Sequence, residues 1–253
     1  MEGAQIPIII SDSSTWPIEA VNFLEANHSE FFGWECMCCS PENAGRYDAL
    51  VSEFRNILRN HSLVGYHCTR LTEQEIRNIR SEGMVPQNAT SLSGRIDRIV
   101  EDQLVGEETA LILKSQNQAD EPFRKEMIWF CFFEPSLAGE DGIGRLFSSW
   151  GGEALYNLHE RHPVVGPALQ VIGAPCIIKA NVPIISLVDS KFPDGSMTRA
   201  FLLKLGHTPK IPIEHEGYST SRIPTENVIE IIEYPTAEFL QLTGCTDWAK
   251  YPI

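Results

Sequence analysis

Residues 65–84 have the sequence GYHCTRLTEQEIRNIRSEGM, and this stretch carries the clearest structural signals in the chain. A short apolar and aromatic run predicts a strand over Leu63–Cys68. Thr72 is a good N-cap residue, and Glu75, three residues later, completes a capping box, so a helix is predicted to begin here. Gly83 stands where a C-cap glycine belongs. The stretch therefore predicts a strand that is followed directly by a helix.

Polar residues occupy the junction between this predicted strand and helix, namely His67, Thr69 and Arg70. An imidazole at a strand end that faces a cleft can hydrogen-bond a ribose hydroxyl, and the Thr69 hydroxyl adds a polar group beside it. The guanidinium of Arg70 is a fixed cation suited to a pyrophosphate. A core histidine at a strand end, with Arg70 on a solvated turn, explains the same residues, and the residues alone do not separate the two interpretations.

Helices dominate the first sixty residues, and strands and helices mix after them without strict β-α-β alternation. Met127–Phe133, MIWFCFF, is the most apolar run and predicts a buried strand. Further strands are predicted at Cys176–Ile178, Val182–Val188, Ile211–Thr220 and Val228–Tyr234. Helices are predicted from Pro17, from Ser40–Pro41, over Arg95–Leu104, up to about His159, over Arg199–Leu205 and over Ala237–Leu242. This order favours an α+β fold with a mostly antiparallel or split sheet, divided into a helical N-terminal segment, residues 1–60, and a second domain, residues 61–253.

The composition disfavours several classes of protein. Across 253 residues, 20 Lys+Arg against 34 Asp+Glu give a formal net charge of -14, which repels nucleic-acid backbones and anionic lipid. No run of 18 or more apolar residues occurs, so no membrane partner is expected. The N-terminal sequence MEGAQIPIIISDSS lacks a basic segment and does not predict a secretory signal. Seven irregularly spaced cysteines favour reduced thiols in a cytoplasmic protein.

No metal site and no common nucleotide or nucleophile motif is predicted. Cys36, Cys38 and Cys39 lie close together, but structural zinc prefers paired ligands two to four residues apart with a second pair downstream. His159 and His162 are three apart on a predicted helix, without the usual Glu-x-x-His partner. The chain has no GxGxxG after a strand, no Walker motif and no GxSxG.

The segment YHCTRLTEQEIRNIRSEGM resembles the first motif of the ADP-ribosyltransferase superfamily, in its diphtheria-toxin-like and DNA-targeting branches. In that family a Tyr/Phe-His-x-Thr strand precedes a helix, and the strand histidine holds a ribose of NAD. The resemblance implies this role for His67, with Tyr66, Thr69 and Arg70 also at the cofactor. Cys68 departs from the family, which often has Gly there. The implied fold is a split, mostly antiparallel β-sheet core of ADP-ribosyltransferase type.

A second part of the resemblance concerns aromatic residues. The run MIWFCFFEPS lies at about the distance where the family has an aromatic-rich second strand, and LFSSWGGEALY then offers Phe147, Trp150 and Tyr156 to flank the nicotinamide. Flat rings suit such a partner because they give contact area at little entropic cost. Gly151 and Gly152 would let backbone approach a ligand closely. A Gly-Gly helix start with Trp150 in the core is the alternative.

The family's catalytic glutamate lies late in the chain at the start of a strand, often as Glu-x-Glu. The sequence IPIEHEGYSTSRIPTENVIEI contains this pattern as Glu214 and Glu216. The resemblance implies Glu216 as the catalytic residue and Glu214 as a residue that orients the acceptor. Glu153, which lies among glycine and aromatic residues, is the alternative catalytic carboxylate. Surface charges on an edge strand also explain the pair.

The resemblance implies a mono-ADP-ribosyltransferase, an enzyme of the glycosyltransferase class that takes ADP-ribose from NAD. Its acceptor is a macromolecule, either a protein side chain or a nucleic-acid base. The transition state of such a transfer resembles an oxocarbenium ion, which a nearby carboxylate stabilises without a metal. One alternative is a catalytically silent protein of this fold that binds a partner. Another is an NAD glycohydrolase or an RNA 2'-phosphotransferase.

Overall fold

The computed structural model describes residues 6–37 and 44–251 of the chain, which form a mixture of helices and strands. The α-helices are α1 (Ile18–Ala26), α2 (His28–Glu35), α3 (Ala44–Leu58), α4 (Glu73–Glu82), α5 (Ala89–Glu101), α6 (Glu107–Ser115), α7 (Gly139–Ser148), α8 (Glu153–His159), α9 (Val165–Val171), α10 (Asp194–Lys204) and α11 (Ala237–Thr243). The strands are β1 (Ser62–Leu71), β2 (Ile128–Cys131), β3 (Ala174–Pro183), β4 (Glu216–Ser219) and β5 (Val228–Glu233). Short 3-10 helices cover Ser13–Thr15, Pro135–Ala138, Ile184–Ser186, Asp189–Lys191, Thr225–Asn227 and Cys245–Asp247.

The strands form one five-stranded antiparallel sheet in the order β4-β2-β1-β3-β5. Strands β3 and β5 pair in a register that sets Cys176 opposite Glu233 and Ile178 opposite Ile231, with an irregularity between Lys179 and Ala180. The predicted α+β class is therefore confirmed. None of the helices in the described part of the chain is long and apolar enough to span a membrane.

The strand and helix predicted from residues 65–84 are both present. The Thr72 side chain accepts a hydrogen bond from the backbone N–H of Glu75, and the Glu75 carboxylate accepts one from the backbone N–H of Thr72. Gly83 ends α4 with a φ of 79°, a left-handed value that glycine adopts without strain. Strand β1 is longer than predicted, because it continues past Cys68 to Leu71.

Other boundaries differ from the predictions for local reasons. Helix α5 begins at Ala89 rather than Arg95, because Asn88 forms a capping box with Ser91. The separate strand predicted over Val182–Val188 is wrong, since β3 runs unbroken through Pro183 and a 3-10 turn then begins. The strand predicted over Ile211–Thr220 is reduced to Glu216–Ser219. The predicted helix start at Ser40–Pro41 lies outside the described residues.

The chain divides into two compact units. Unit 1 comprises the described residues within Met1–Gly65, Cys131–Phe133 and Asn181–Tyr218, and unit 2 comprises Tyr66–Phe130, Glu134–Ala180 and the described residues within Ser219–Ile253. The predicted division at residue 60 lies near the first boundary. It did not include the two later segments of unit 1, because sequence order alone does not indicate where a chain returns.

Unit 1 has a helical core with two buried carboxylates. Glu35 is 6% exposed and accepts a 2.6 Å hydrogen bond from the hydroxyl of Tyr47, while the Arg199 guanidinium lies 3.5 Å from the same carboxylate. Asp194, also 6% exposed, accepts a 2.9 Å hydrogen bond from Arg55 Nε. Burial of a carboxylate is unfavourable unless it is paired in this way.

Unit 2 contains two apolar clusters. One gathers side chains from α5, α6, α8 and α9 around Trp150, and the other packs Phe147, Phe239 and Ile177 against Cys68 of β1. Tyr66 packs at the edge of the second cluster. Tyr66 and Cys68, two residues apart on β1, therefore both contact this cluster, because side chains i and i+2 of a strand lie on the same face.

Candidate active site

His67 lies on β1 and is partly exposed. Its Nδ1 atom is 2.8 Å from the backbone oxygen of Trp129, so Nδ1 carries the proton and donates it to that carbonyl. Burial lowers the pKa of His67, the hydrogen bond to Trp129 opposes this, and the positive charge of Arg95 lowers it further. The imidazole is therefore neutral at pH 7, and its Nε2 atom carries a lone pair that can accept a hydrogen bond from a hydroxyl.

Strand β2 supplies aromatic residues beside this histidine. The Phe130 ring lies 6.0 Å from the His67 ring in an edge-on arrangement and is buried. Trp129 is partly exposed, and its indole N–H donates to the Phe123 carbonyl at 3.3 Å. Phe123 itself is 77% exposed. The sequence predicted that the whole run Met127–Phe133 is buried, and it did not indicate that Trp129 is partly exposed. The period of two in a strand could have shown this, because it brings alternate residues to the other face.

Arg70 is held by the backbone. Its Nε donates to the Ile172 carbonyl at 2.7 Å, and its Nη1 donates to the Phe147 carbonyl at 3.0 Å. Next to Ile172, Gly173 has a φ of 65°, and a Cβ atom there would lie 2.2 Å from the Leu71 carbonyl oxygen. Arg70 therefore connects β1 to two other segments of unit 2. These two bonds occupy the Nε–H and one Nη1–H of the five guanidinium N–H groups, so the predicted pyrophosphate contact stays a prediction for the remaining donors of this partly exposed side chain.

Tyr66 and Thr69, the remaining predicted cofactor residues of β1, are both partly exposed. Burial raises the pKa of Tyr66, and the nearby carboxylates of Glu134 and Glu238 raise it further. Its hydroxyl is therefore protonated at neutral pH and available as a hydrogen-bond donor. Both residues remain candidates for contact with a ligand.

Phe147 and Trp150 are both fully buried, at 0% exposure. The Trp150 indole N–H donates to Glu75 Oε2 at 2.9 Å, and the Arg95 guanidinium lies 4.8 Å from the ring centroid. Phe147 packs against Phe239, with ring centroids 5.1 Å apart. Rings enclosed in this way have no exposed face, so their placement does not fit the predicted stacking on nicotinamide.

Tyr156 is 4% exposed, and the Arg145 guanidinium lies 4.1 Å from its ring centroid. Burial and the Glu153 carboxylate raise its pKa. Gly151 and Gly152 have φ values of 84° and 61°, so the glycine pair is needed by the backbone at the start of α8. This segment therefore corresponds to the alternative interpretation, a Gly-Gly helix start beside a core tryptophan.

Glu153, the alternative catalytic carboxylate, is exposed at the first residue of α8. Its Oε2 lies 3.2 Å from Arg124 Nε, and its Oε1 accepts a 3.4 Å hydrogen bond from the Tyr156 hydroxyl. Because this carboxylate already has a cationic partner and a hydroxyl donor in unit 2, it is less available to a developing cation on a substrate.

Glu216 begins β4 in unit 1, and both Glu214 and Glu216 are exposed. His215, between them, is partly buried: its Nε2 donates to the Lys191 carbonyl at 2.9 Å, and its ring stacks on Phe132 at 5.5 Å. Burial lowers the pKa of His215 to about 4, so the ring is neutral at pH 7. The contacts of His215 with Lys191 and Phe132 thus fix the middle residue, and both carboxylates are exposed.

No group of three or more His, Cys, Asp or Glu side chains suited to a metal occurs within residues 6–37 and 44–251. Cys38 and Cys39, from the cysteine cluster, lie outside these residues. His159 and His162 have other partners: His159 Nε2 lies 2.6 Å from the Gln116 carbonyl oxygen, and His162 Nδ1 accepts a hydrogen bond from the Val165 N–H.

Comparisons with known proteins add no constraint on this site, since the chain matches no protein-family model, no curated protein and no solved structure. The structure is that of a mixed α+β protein, in which His67 belongs to unit 2 and the exposed residues Glu214 and Glu216 belong to unit 1.

Proposed function

We propose that this chain transfers ADP-ribose from NAD to a macromolecular acceptor, either a protein side chain or a nucleic-acid base. The observation that carries the proposal is the hydrogen bond from His67 Nδ1 to the Trp129 carbonyl, within the strand and helix of the motif. It leaves Nε2 as an acceptor, which is the state required to hold a ribose hydroxyl.

In the proposed reaction the bond between the ribose C1' and the nicotinamide nitrogen breaks, and its electron pair leaves with neutral nicotinamide. The ribose then carries oxocarbenium-like positive charge, which Glu216 stabilises as a carboxylate. A nucleophilic atom of the acceptor forms the new bond to C1' and loses a proton to Glu214 or to water. His67 acts by holding the ribose in position.

The test is release of nicotinamide and labelling of lysate components from labelled NAD, using the full chain and matched variants. His67→Asn keeps a side-chain donor for the Trp129 carbonyl but lacks the second ring nitrogen. We expect it and Glu216→Gln each to lower labelling at least about 100-fold, the order of loss seen when one transition-state contact is removed. Glu226→Gln is the control, because Glu226 is also exposed.

The rival carboxylate is tested in the same assay. If Glu153→Gln abolishes labelling while Glu216→Gln does not, the assignment of Glu216 is wrong. The His67→Asn/Glu216→Gln double variant adds a second criterion. If both residues act on one dinucleotide, the double variant loses much less than the product of the two single losses.

A second candidate function is a catalytically silent protein of the same fold that binds a partner. The observation that favours it is that Phe147 and Trp150 are enclosed in the core, while Arg70 donates two hydrogen bonds to backbone carbonyls. A thermal-shift measurement with NAD and with ADP-ribose separates the two. No shift with either ligand, together with no nicotinamide release, supports the silent protein. Release without labelling supports an NAD glycohydrolase.

A further inference from the structure

Two histidines from distant parts of the sequence meet in unit 1. His28 is the first residue of α2, and His207 follows the end of α10. Their Nε2 atoms are 3.1 Å apart, and their ring centroids are 5.2 Å apart. Neither residue belongs to the site proposed for ADP-ribose transfer.

Backbone and aromatic contacts hold both rings in place. The N–H of His207 donates to the Leu202 carbonyl at 3.0 Å, directly after Gly206. The Phe32 ring stacks on the His28 ring at 6.1 Å and lies 4.4 Å from the His207 ring. Both histidines are partly exposed.

Two imidazole nitrogens at this distance share either a proton or a cation. If a proton is shared, Nε2 of one ring donates it and Nε2 of the other ring accepts it. With both lone pairs directed at a metal at about 2.05 Å, the usual zinc–nitrogen distance, a separation of 3.1 Å corresponds to an angle of about 98° at the metal. This angle lies between the octahedral and the tetrahedral values, which divalent zinc, nickel and copper accept from imidazole.

We infer that His28 and His207 bind one divalent transition-metal ion of the zinc, nickel and copper class. Since the described residues contain no set of three such ligands, water fills the remaining positions. The net charge of -14 raises the local concentration of cations around the chain. The bound ion would join the start of α2 to the end of α10 and so stabilise the folded form of unit 1.

The test uses the full chain, with any purification tag removed and metals stripped by a chelator that is then dialysed away. Titration with zinc chloride, followed by calorimetry, is expected to give one site per chain. Thermal unfolding is expected to shift upward by about 5–10 °C when free zinc is about 100 times its Kd. Copper(II) should give an electron paramagnetic resonance spectrum with two nitrogen ligands.

The matched variants are His28→Gln and His207→Gln, with His162→Gln as the control because that residue lies in unit 2. Each of the first two is expected to lose the zinc-dependent shift and one nitrogen in the copper spectrum, while the control keeps both. Comparing each variant with and without zinc removes any effect of the substitution on stability itself. A zinc-dependent shift of wild-type size in both His28→Gln and His207→Gln, or no saturable binding to the wild type, overturns the inference.

Discussion

Glu75, in α4 of unit 2, and Glu216, the first residue of β4 in unit 1, are both glutamates, but their surroundings are opposite. Glu75 accepts hydrogen bonds from the Thr72 N–H, the Trp150 indole and Arg95 Nε. Glu216 is exposed at the start of β4. A carboxylate surrounded by donors is a structural residue, whereas an exposed one is available to a substrate.

The pKa of Glu75 expresses this difference. Burial by itself raises the pKa, but Arg95 and the hydrogen bonds from Thr72 and Trp150 lower it, and the net pKa lies below the ordinary value. A depressed pKa in the folded state means that the group stabilises the fold above its unfolded pKa and loses this contribution as pH falls through the folded pKa. Glu75 therefore contributes stability throughout the neutral range.

The largest expected effect follows from removing the buried carboxylate. Glu75→Ala leaves Arg95 and the Trp150 N–H without their acceptor, so the free energy of unfolding should fall by about 3–5 kcal/mol. Urea denaturation monitored by circular dichroism measures this change. The exposed control Glu226→Ala should change it by no more than about 0.5 kcal/mol. Equal, small effects in both variants would contradict the structural role of Glu75.

The next effect concerns Trp150. Trp150→Phe keeps an aromatic ring in the cluster but removes the N–H donor to Glu75, which should lower the free energy of unfolding by about 1–3 kcal/mol. If the proposed function holds, the thermal shift expected with NAD should be the same in this variant as in the wild type, because the Trp150 ring is enclosed by the core. A stable variant that has lost its NAD response would instead restore the stacking role predicted from the sequence.

A pH-dependent effect is expected from His215. Its pKa in the folded chain is about 4, below the ordinary 6.5, so the unfolded chain binds the proton first as pH falls. The wild type should therefore lose stability between about pH 6.5 and 4, by up to about 1.4 kcal/mol per pH unit from this residue. His215→Phe keeps a flat ring beside Phe132 and should flatten the slope. Unfolding curves of the wild type and of this variant across this pH range measure the difference, and equal slopes would contradict the role of His215.

The smallest effect on stability is expected at the exposed carboxylates. Glu214→Gln and Glu216→Gln should each change the free energy of unfolding by no more than about 0.5 kcal/mol, because neither side chain is buried. Urea denaturation checks this. If Glu216→Gln lowered the free energy of unfolding by several kcal/mol, Glu216 would be a structural carboxylate like Glu75. A loss of labelling in that variant would then reflect unfolding and would give no information on catalysis.

Local sequence signals predicted the parts of the fold that depend on neighbouring residues. The Thr72 and Glu75 capping box and the glycine at position 83 gave the start and end of α4, since these contacts lie within one or two helical turns. The prediction of a separate strand over Val182–Val188 is wrong. Apolar content alone does not distinguish a strand from the 3-10 turn that follows Pro183.

For the candidate site, the sequence by itself determined which residue types are present and their order: a histidine in a strand before a capped helix, and a late Glu-x-Glu. Tertiary structure alone decided that His67 bonds the Trp129 carbonyl through Nδ1, that Trp150 is enclosed and that Arg70 bonds two distant carbonyls. The physical reason is the range of the contacts. Helix caps and the alternation of side chains along a strand depend on nearby residues, whereas the burial of a side chain and the tautomer of a histidine depend on segments about 60 to 100 positions away in the chain.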